Sequence, residues 1–200
     1  MLNGTLGFEA MGIGVVTGSG DRVAAVAGLL KDEGIEVLTG SSLDELEGLD
    51  GRRVDHYLQL PMSVRPTGAT CVARVHSFLR DGLLGRYLLV DRLLPELTDG
   101  ATVVLVSGHS PAGAAVPDDE HSRLALLHVL AHATRAEVGV RGVRVTVAAG
   151  TRSDAELVRF ALRGGEDPDA RLAAEPAGRV TDTQYQDWRT ELMGMRTAVG

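Results

Sequence analysis

Residues 101–106 read Ala-Thr-Val-Val-Leu-Val. An unbroken, β-branched apolar run of this kind suits a strand buried on both faces of a parallel sheet. From Glu120 to Val138 the apolar positions change to helical spacing, through Leu124, Leu127, Val129, Leu130, Ala131, Ala133, Thr134 and Val138. Gly139 and Gly142 follow as stop signals, and 143–147 is a second buried run. Strand, crossover helix and strand make a right-handed βαβ unit. The chain begins in the same way. After a leader over 1–11, residues 12–17 predict a strand, 23–33 an amphipathic helix closed by Gly34, and 35–38 a second strand. Ser42 caps a short helix with an acidic first turn. A strand follows over 54–60, ended by Pro61, then a loop over 63–69 and a helix over 70–97 broken near Asp81-Gly82. Beyond 150 the pattern gives a helix over 154–162, a polar loop over 163–169, a last strand over 178–181 and a terminal helix over 184–195 carrying Trp188. Strands alternating with helices predict an α/β fold: one Rossmann-like domain over 1–200, a doubly wound parallel sheet with helices on both faces.

Composition narrows the function classes. The chain has 200 residues, a hydrophobic fraction of 44% and a formal net charge of −7. That charge argues against nucleic acid as a partner, since no basic face is implied. No apolar run is long enough to span a membrane, and the start lacks the basic segment of a signal peptide, so no membrane partner is expected. Cys71 is the only cysteine, which excludes an internal disulfide framework and makes a reducing cytoplasm the expected location. Lys31 is the only lysine and Asn3 the only asparagine.

The turn Thr17-Gly18-Ser19-Gly20-Asp21-Arg22 joins the first strand to its helix. A strand, glycine turn and helix is how a nucleotide-binding βαβ unit starts, with helix amides offered to a pyrophosphate. At the other end of the pattern, Arg141-Gly142-Val143-Arg144-Val145-Thr146 runs on to Gly150. In this order of signals the chain resembles the short-chain dehydrogenase/reductase family over about 12–150. That family writes the first turn TGxxxGxG and the later strand (I/V)RVNxVxPG, where this chain has Ala149 for the proline. The resemblance implies an NAD(P) site at Thr17, Gly18, Ser19, Gly20 and Arg22, empty or weakly occupied because Arg22 and Val23 stand where glycines are expected. Thr39-Gly40-Ser41-Ser42 offers no acid for an adenosine ribose, so neither form of the cofactor is selected. Gln59-Leu60-Pro61 falls where the family has Asn-Asn-Ala. Such an alignment implies that one strand-helix unit is missing at the sheet edge, where only one ladder is lost.

The family's proton relay is absent. Its serine falls on Ser107 and its helix asparagine on Gly82, while its tyrosine and lysine fall on Glu120 and Leu124, or on His121 and Ala125 with an offset of one. Hydride transfer needs a proton donor to the carbonyl oxygen, and without lysine and asparagine that relay cannot be built in its usual form. The expectation is therefore a catalytically degenerate member, a partner subunit or ligand-binding module. It would pair with itself or an active reductase through helices near 77–97 and 120–138, whose leucines (Leu83, Leu84, Leu88, Leu93, Leu94, Leu126, Leu127 and Leu130) exceed what one buried face needs. Two alternatives stay open. One is an atypical NAD(P)-dependent, ketoreductase-like oxidoreductase using Ser107 with His121. The other is a cyclase, dehydratase or isomerase using His109, His121 or Asp118. Ser107 lacks the G-x-S-x-G surroundings of a hydrolase nucleophile. His128 and His132 share a helix face without the third ligand and glutamate of a zinc site, so no metal is expected.

Overall fold

A computed structural model of the chain describes residues 12–41, 45, 46, 49, 51–62, 67–78, 80, 84–108 and 117–170. The strands are β1 (Ile13–Thr17), β2 (Glu36–Gly40), β3 (Val54–Gln59), β4 (Leu97–Val106) and β5 (Arg144–Ala148). The helices are α1 (Asp21–Asp32), α2 (Cys71–Phe78), α3 (Gly85–Leu93), α4 (Pro117–Val138) and α5 (Asp154–Arg163). All five strands pair in parallel in the order β2-β1-β3-β4-β5. Between Gly40 and Val54 no described residue is in a strand, and β2 is the sheet edge. Among the described residues this is the dinucleotide order 3-2-1-4-5-6 without its first edge strand.

Alternation along the strands sends side chains to two separate cores. Val15, Tyr57, Val103, Leu105 and Val147 pack against α3 and α4, with Val90, Leu93, Leu127 and Leu130 facing them. Val16, Leu58, Val104, Val106 and Ala148 pack on the other face against α1 and α5, meeting Val26, Leu30, Leu157 and Phe160. Each fully buried side chain of this size contributes roughly 1.5–3 kcal/mol. The doubly wound architecture is thus dictated by strands that are apolar on both sides.

The expected helix over 70–97 is divided. It appears as α2 and α3, and β4 begins at Leu97 rather than at Ala101. Pro95 cannot continue a helix, and the turn at Leu94–Glu96 is held from outside. Arg53 donates to the carbonyls of Pro95 and Leu97, and Arg141 donates to those of Leu94 and Leu97. A register shift between Val54 and His56 then lets β4 run on through Gly100, at φ +78°, into the apolar run. The break expected near Asp81-Gly82 lies outside the described residues, as do the leader over 1–11 and the elements expected over 178–181 and 184–195. Of the short helix expected from Ser42, only Glu45 and Leu46 are described; the Glu45 carboxylate accepts from the Ser41 amide and hydroxyl.

Candidate functional site at the strand ends

Parallel strands bring their carboxyl ends to one side, where open α/β sheets bind ligands. Five segments meet there: the β1–α1 turn, the end of β3, the start of α3, the end of β4 and the β5–α5 loop.

The β1–α1 turn is tightly held. Gly18 lies at φ +149°, and a Cβ there would come within 2.8 Å of the Leu60 Cβ, so only glycine fits. The Gly18 amide donates to Gly40 O at 3.3 Å and the Ser19 amide to Pro61 O at 3.2 Å. Gly20 precedes α1 without any side-chain cap, and Asp21 puts a negative charge in the first turn. Thr17 is buried with its hydroxyl against the Tyr57 hydroxyl at 2.9 Å. Arg22 reaches across to the β5–α5 loop. Its Nε donates to Asp154 Oδ1 at 2.6 Å, its Nη1 to Gly150 O at 2.8 Å and its Nη2 to Arg152 O.

At the end of β4, Ser107 is 0% exposed. Its amide donates to Ala148 O at 2.9 Å, and its hydroxyl oxygen accepts from the Gly150 amide at 2.8 Å. His109 lies outside the described residues. His121 falls within α4, and its side chain too lies outside the described residues. Further along α4, His128 Nε2 donates to Ala170 O at 2.6 Å. No group of three or more metal-ligating side chains occurs among the described residues.

The β5–α5 corner is charged and internally paired. Ala149 has an N–H that a proline would lack, and Asp167 Oδ2 accepts it at 2.8 Å. Arg152 Nη2 reaches Asp167 Oδ1 and Asp169 Oδ2, each at 2.6 Å, and Arg152 Nη1 reaches Glu156 Oε1 at 3.1 Å. Burial alone would raise the Asp167 carboxyl. Hydrogen bonds from Arg152 and from the Ala149 and Asp169 amides outweigh it and hold the group below the usual aspartate range. The segment over 163–169 that reads as a polar loop is therefore pinned to the strand end by its one buried acid.

A second polar cluster sits beneath the ends of β1, β3 and β4, and the sequence motifs reach it only at Thr17 and Gln59, not at Arg86. Arg86, in the first turn of α3, is 8% exposed. Its Nε donates to Gln59 Oε1 at 2.8 Å, and its Nη2 donates to Val106 O at 2.8 Å and Gln59 O at 3.3 Å. The Gln59 amide nitrogen donates in turn to the Tyr57 hydroxyl at 3.0 Å and to Arg86 O at 2.9 Å. Burial pushes the Tyr57 hydroxyl up to about 12 and the Arg86 guanidinium down to about 10. Neighbouring Tyr87 is half-buried and donates to Leu126 O at 2.8 Å, which makes it a packing residue between α3 and α4.

No protein-family model and no curated protein matches this chain. Solved structures do match its fold. A Listeria innocua protein, lin1944, aligns with a TM-score of 0.55 at 17% identity, over 78% of this chain and 97% of that one. A Serratia marcescens short-chain dehydrogenase/reductase gives a TM-score of 0.54 at 15% identity, over 80% and 90%. An oxidoreductase of the same family from Brucella ovis, solved with a partially ordered NAD, gives 0.52 at 17% identity, over 78% and 98%. The chain is thus similar to these proteins in fold, a parallel Rossmann-like sheet flanked by helices.

Proposed function

We propose that this chain is a non-catalytic relative of the short-chain dehydrogenases and reductases, serving as a partner subunit or ligand-binding module on an oxidoreductase-like scaffold. The observation that carries this is Ser107, buried at the end of β4 with its oxygen engaged by the Gly150 amide. Reduction of a carbonyl needs a donor at the substrate oxygen, with a cation to raise that donor's acidity. Lys31 stands exposed in the last turn of α1, at the end of the helix remote from the strand ends. On the cofactor side, the Thr17 hydroxyl is turned to Tyr57 and the Arg22 guanidinium to the β5–α5 loop.

The partner half of the proposal is supported by α3 and α4. Leu84 and Leu88 at α3 are 51% and 61% exposed and Leu126 on α4 is 36% exposed, on helices that meet through the Tyr87–Leu126 bond. Grouped leucines at that exposure suit a second copy of this chain or an active reductase seated on both helices. No helix among the described residues is long and apolar enough to cross a membrane. The single cysteine, Cys71, supports a reducing cytoplasm as the subunit's location.

The test is titration of the purified chain with NADH and NADPH, followed by fluorescence and melting temperature, with light scattering for assembly. No saturation at millimolar cofactor and a dimer at micromolar protein are expected. Saturable binding with turnover of a carbonyl substrate, or a monomer alone and with candidate reductases, would overturn the corresponding half.

A further inference from the structure

We infer that the ends of β1, β3 and β4 form a binding site for a small monocarboxylate, with Arg86 as the residue that holds it. This deepens the ligand-binding half of the proposed function and rests on it. The ground is a difference among the arginines. Arg22, Arg52, Arg141 and Arg152 each pair with a carboxylate. Arg53, Arg135 and Arg144 reach carbonyl oxygens but stand at the surface, where water solvates them. Arg86 is buried and, among the described residues, its partners are all neutral: Gln59 Oε1, Gln59 O and Val106 O. A buried charge without an opposite charge costs several kcal/mol, so a fold that keeps one has a use for it or supplies the counter-charge from outside.

The position suits a ligand. The oxygens that hold the guanidinium belong to Gln59 and Val106, the last residues of β3 and β4, and Thr17 is the last of β1. Arg86 thus sits at the carboxyl ends of the central strands, where ligands of this architecture bind. Its bonds to described residues use Nε and Nη2, leaving Nη1 outside them. Gln59, Tyr57 and Thr17 are themselves locked by hydrogen bonds, so the surrounding polar groups are already in place before a ligand arrives. With Nε and Nη2 held by Gln59 and Val106, Nη1 is the donor left for one carboxylate oxygen, and the single guanidinium charge matches that of a monocarboxylate. A phosphate dianion would leave net negative charge in a site with one cation, on a chain already at −7.

The experiment uses the whole chain and watches the Arg86 Nε–Hε resonance during titration with sodium acetate, propionate and benzoate at constant ionic strength, with sodium chloride as control. A saturable shift with at least one carboxylate is expected, together with a rise in melting temperature. Binding should be at least 10-fold weaker in Arg86→Lys, which keeps the charge and loses the fork, and absent in Arg86→Gln. If Arg86→Gln does not fold, the Arg86→Lys comparison decides. No saturable shift with any carboxylate, an equal response to chloride, or undiminished binding in Arg86→Lys would overturn the site. Each of those results leaves the non-catalytic reading intact. Turnover with NADH would remove that reading without altering the carboxylate response.

Discussion

The strand-end surface holds two arginine clusters, and they are built on opposite terms. At the β5–α5 corner, Arg22 and Arg152 meet Asp154, Glu156, Asp167 and Asp169, and every positive charge has an acid against it. At the ends of β1, β3 and β4, Arg86 meets an amide oxygen and two carbonyls. The first cluster is complete within the chain and ties down the loop that follows α5. The second keeps a cation in a dry place with nothing in the described chain to neutralise it. Charge that is compensated locally serves the fold, and charge that is not is where a ligand's contribution belongs.

The sharpest way to break this contrast is Asp167→Ala. It strips the buried Ala149 amide of its acceptor and Arg152 of its most buried partner. An orphaned buried donor costs about 1–3 kcal/mol, and the lost charge-assisted bonds put the expected value near the top of that range. Urea denaturation measures it. The same carboxyl sets a pH dependence. Because its folded pKa lies below the ordinary value, its stabilisation is fully present above the unfolded pKa of about 4 and is lost as the pH falls through the folded one. Glu36 and Glu156 are shifted in the same direction, so the wild type should weaken on acidification. Asp167→Asn should flatten that acid limb, and an unchanged slope in melting temperature against pH would show that Asp167 is not a source of it.

Arg86→Met is expected to do less. It leaves Val106 O and the Gln59 oxygens without their donor, yet it also removes an uncompensated buried charge, so a net loss of about 1 kcal/mol is expected. A loss as large as that of Asp167→Ala would mean that Arg86 is a structural staple like Arg152, and the contrast between the two clusters would disappear.

How much of this is legible in the sequence follows from the range of each interaction. The strands announce themselves because their apolar runs are local, and so does the glycine turn before α1. The edge deletion is legible because the chain between β2 and β3 is too short for another strand and helix. The start of β4 is not, since leucine spacing looks helical through Leu97 and the turn is fixed by Arg53 and Arg141, more than forty residues away. Arg86 is hidden for the same reason. A charged residue in a leucine-rich helix reads as solvent-facing, and its burial depends on Gln59, 27 residues earlier. Asp167 left one usable trace: Ala149 in place of a proline creates a buried N–H that must find an acceptor.

The smallest effect sharpens the other side of the comparison. Ser153 caps α5, its hydroxyl accepting from the Glu156 amide while Glu156 Oε2 accepts from the Ser153 amide and hydroxyl. Losing an N-cap serine costs about 1 kcal/mol in an ordinary helix, and the exposed setting here argues for the lower half of the measured range. Glu156 also touches Arg152, so the cap and the corner share one carboxylate. Ser153→Ala should therefore not add simply to Asp167→Ala. If the corner is one network, the double variant should lose less than the sum of the single losses, because freeing Arg152 from Asp167 lets it take more of Glu156. Strict additivity in the urea midpoints would mean that the helix cap and the charged corner are separate devices, and that only Asp167 anchors the loop.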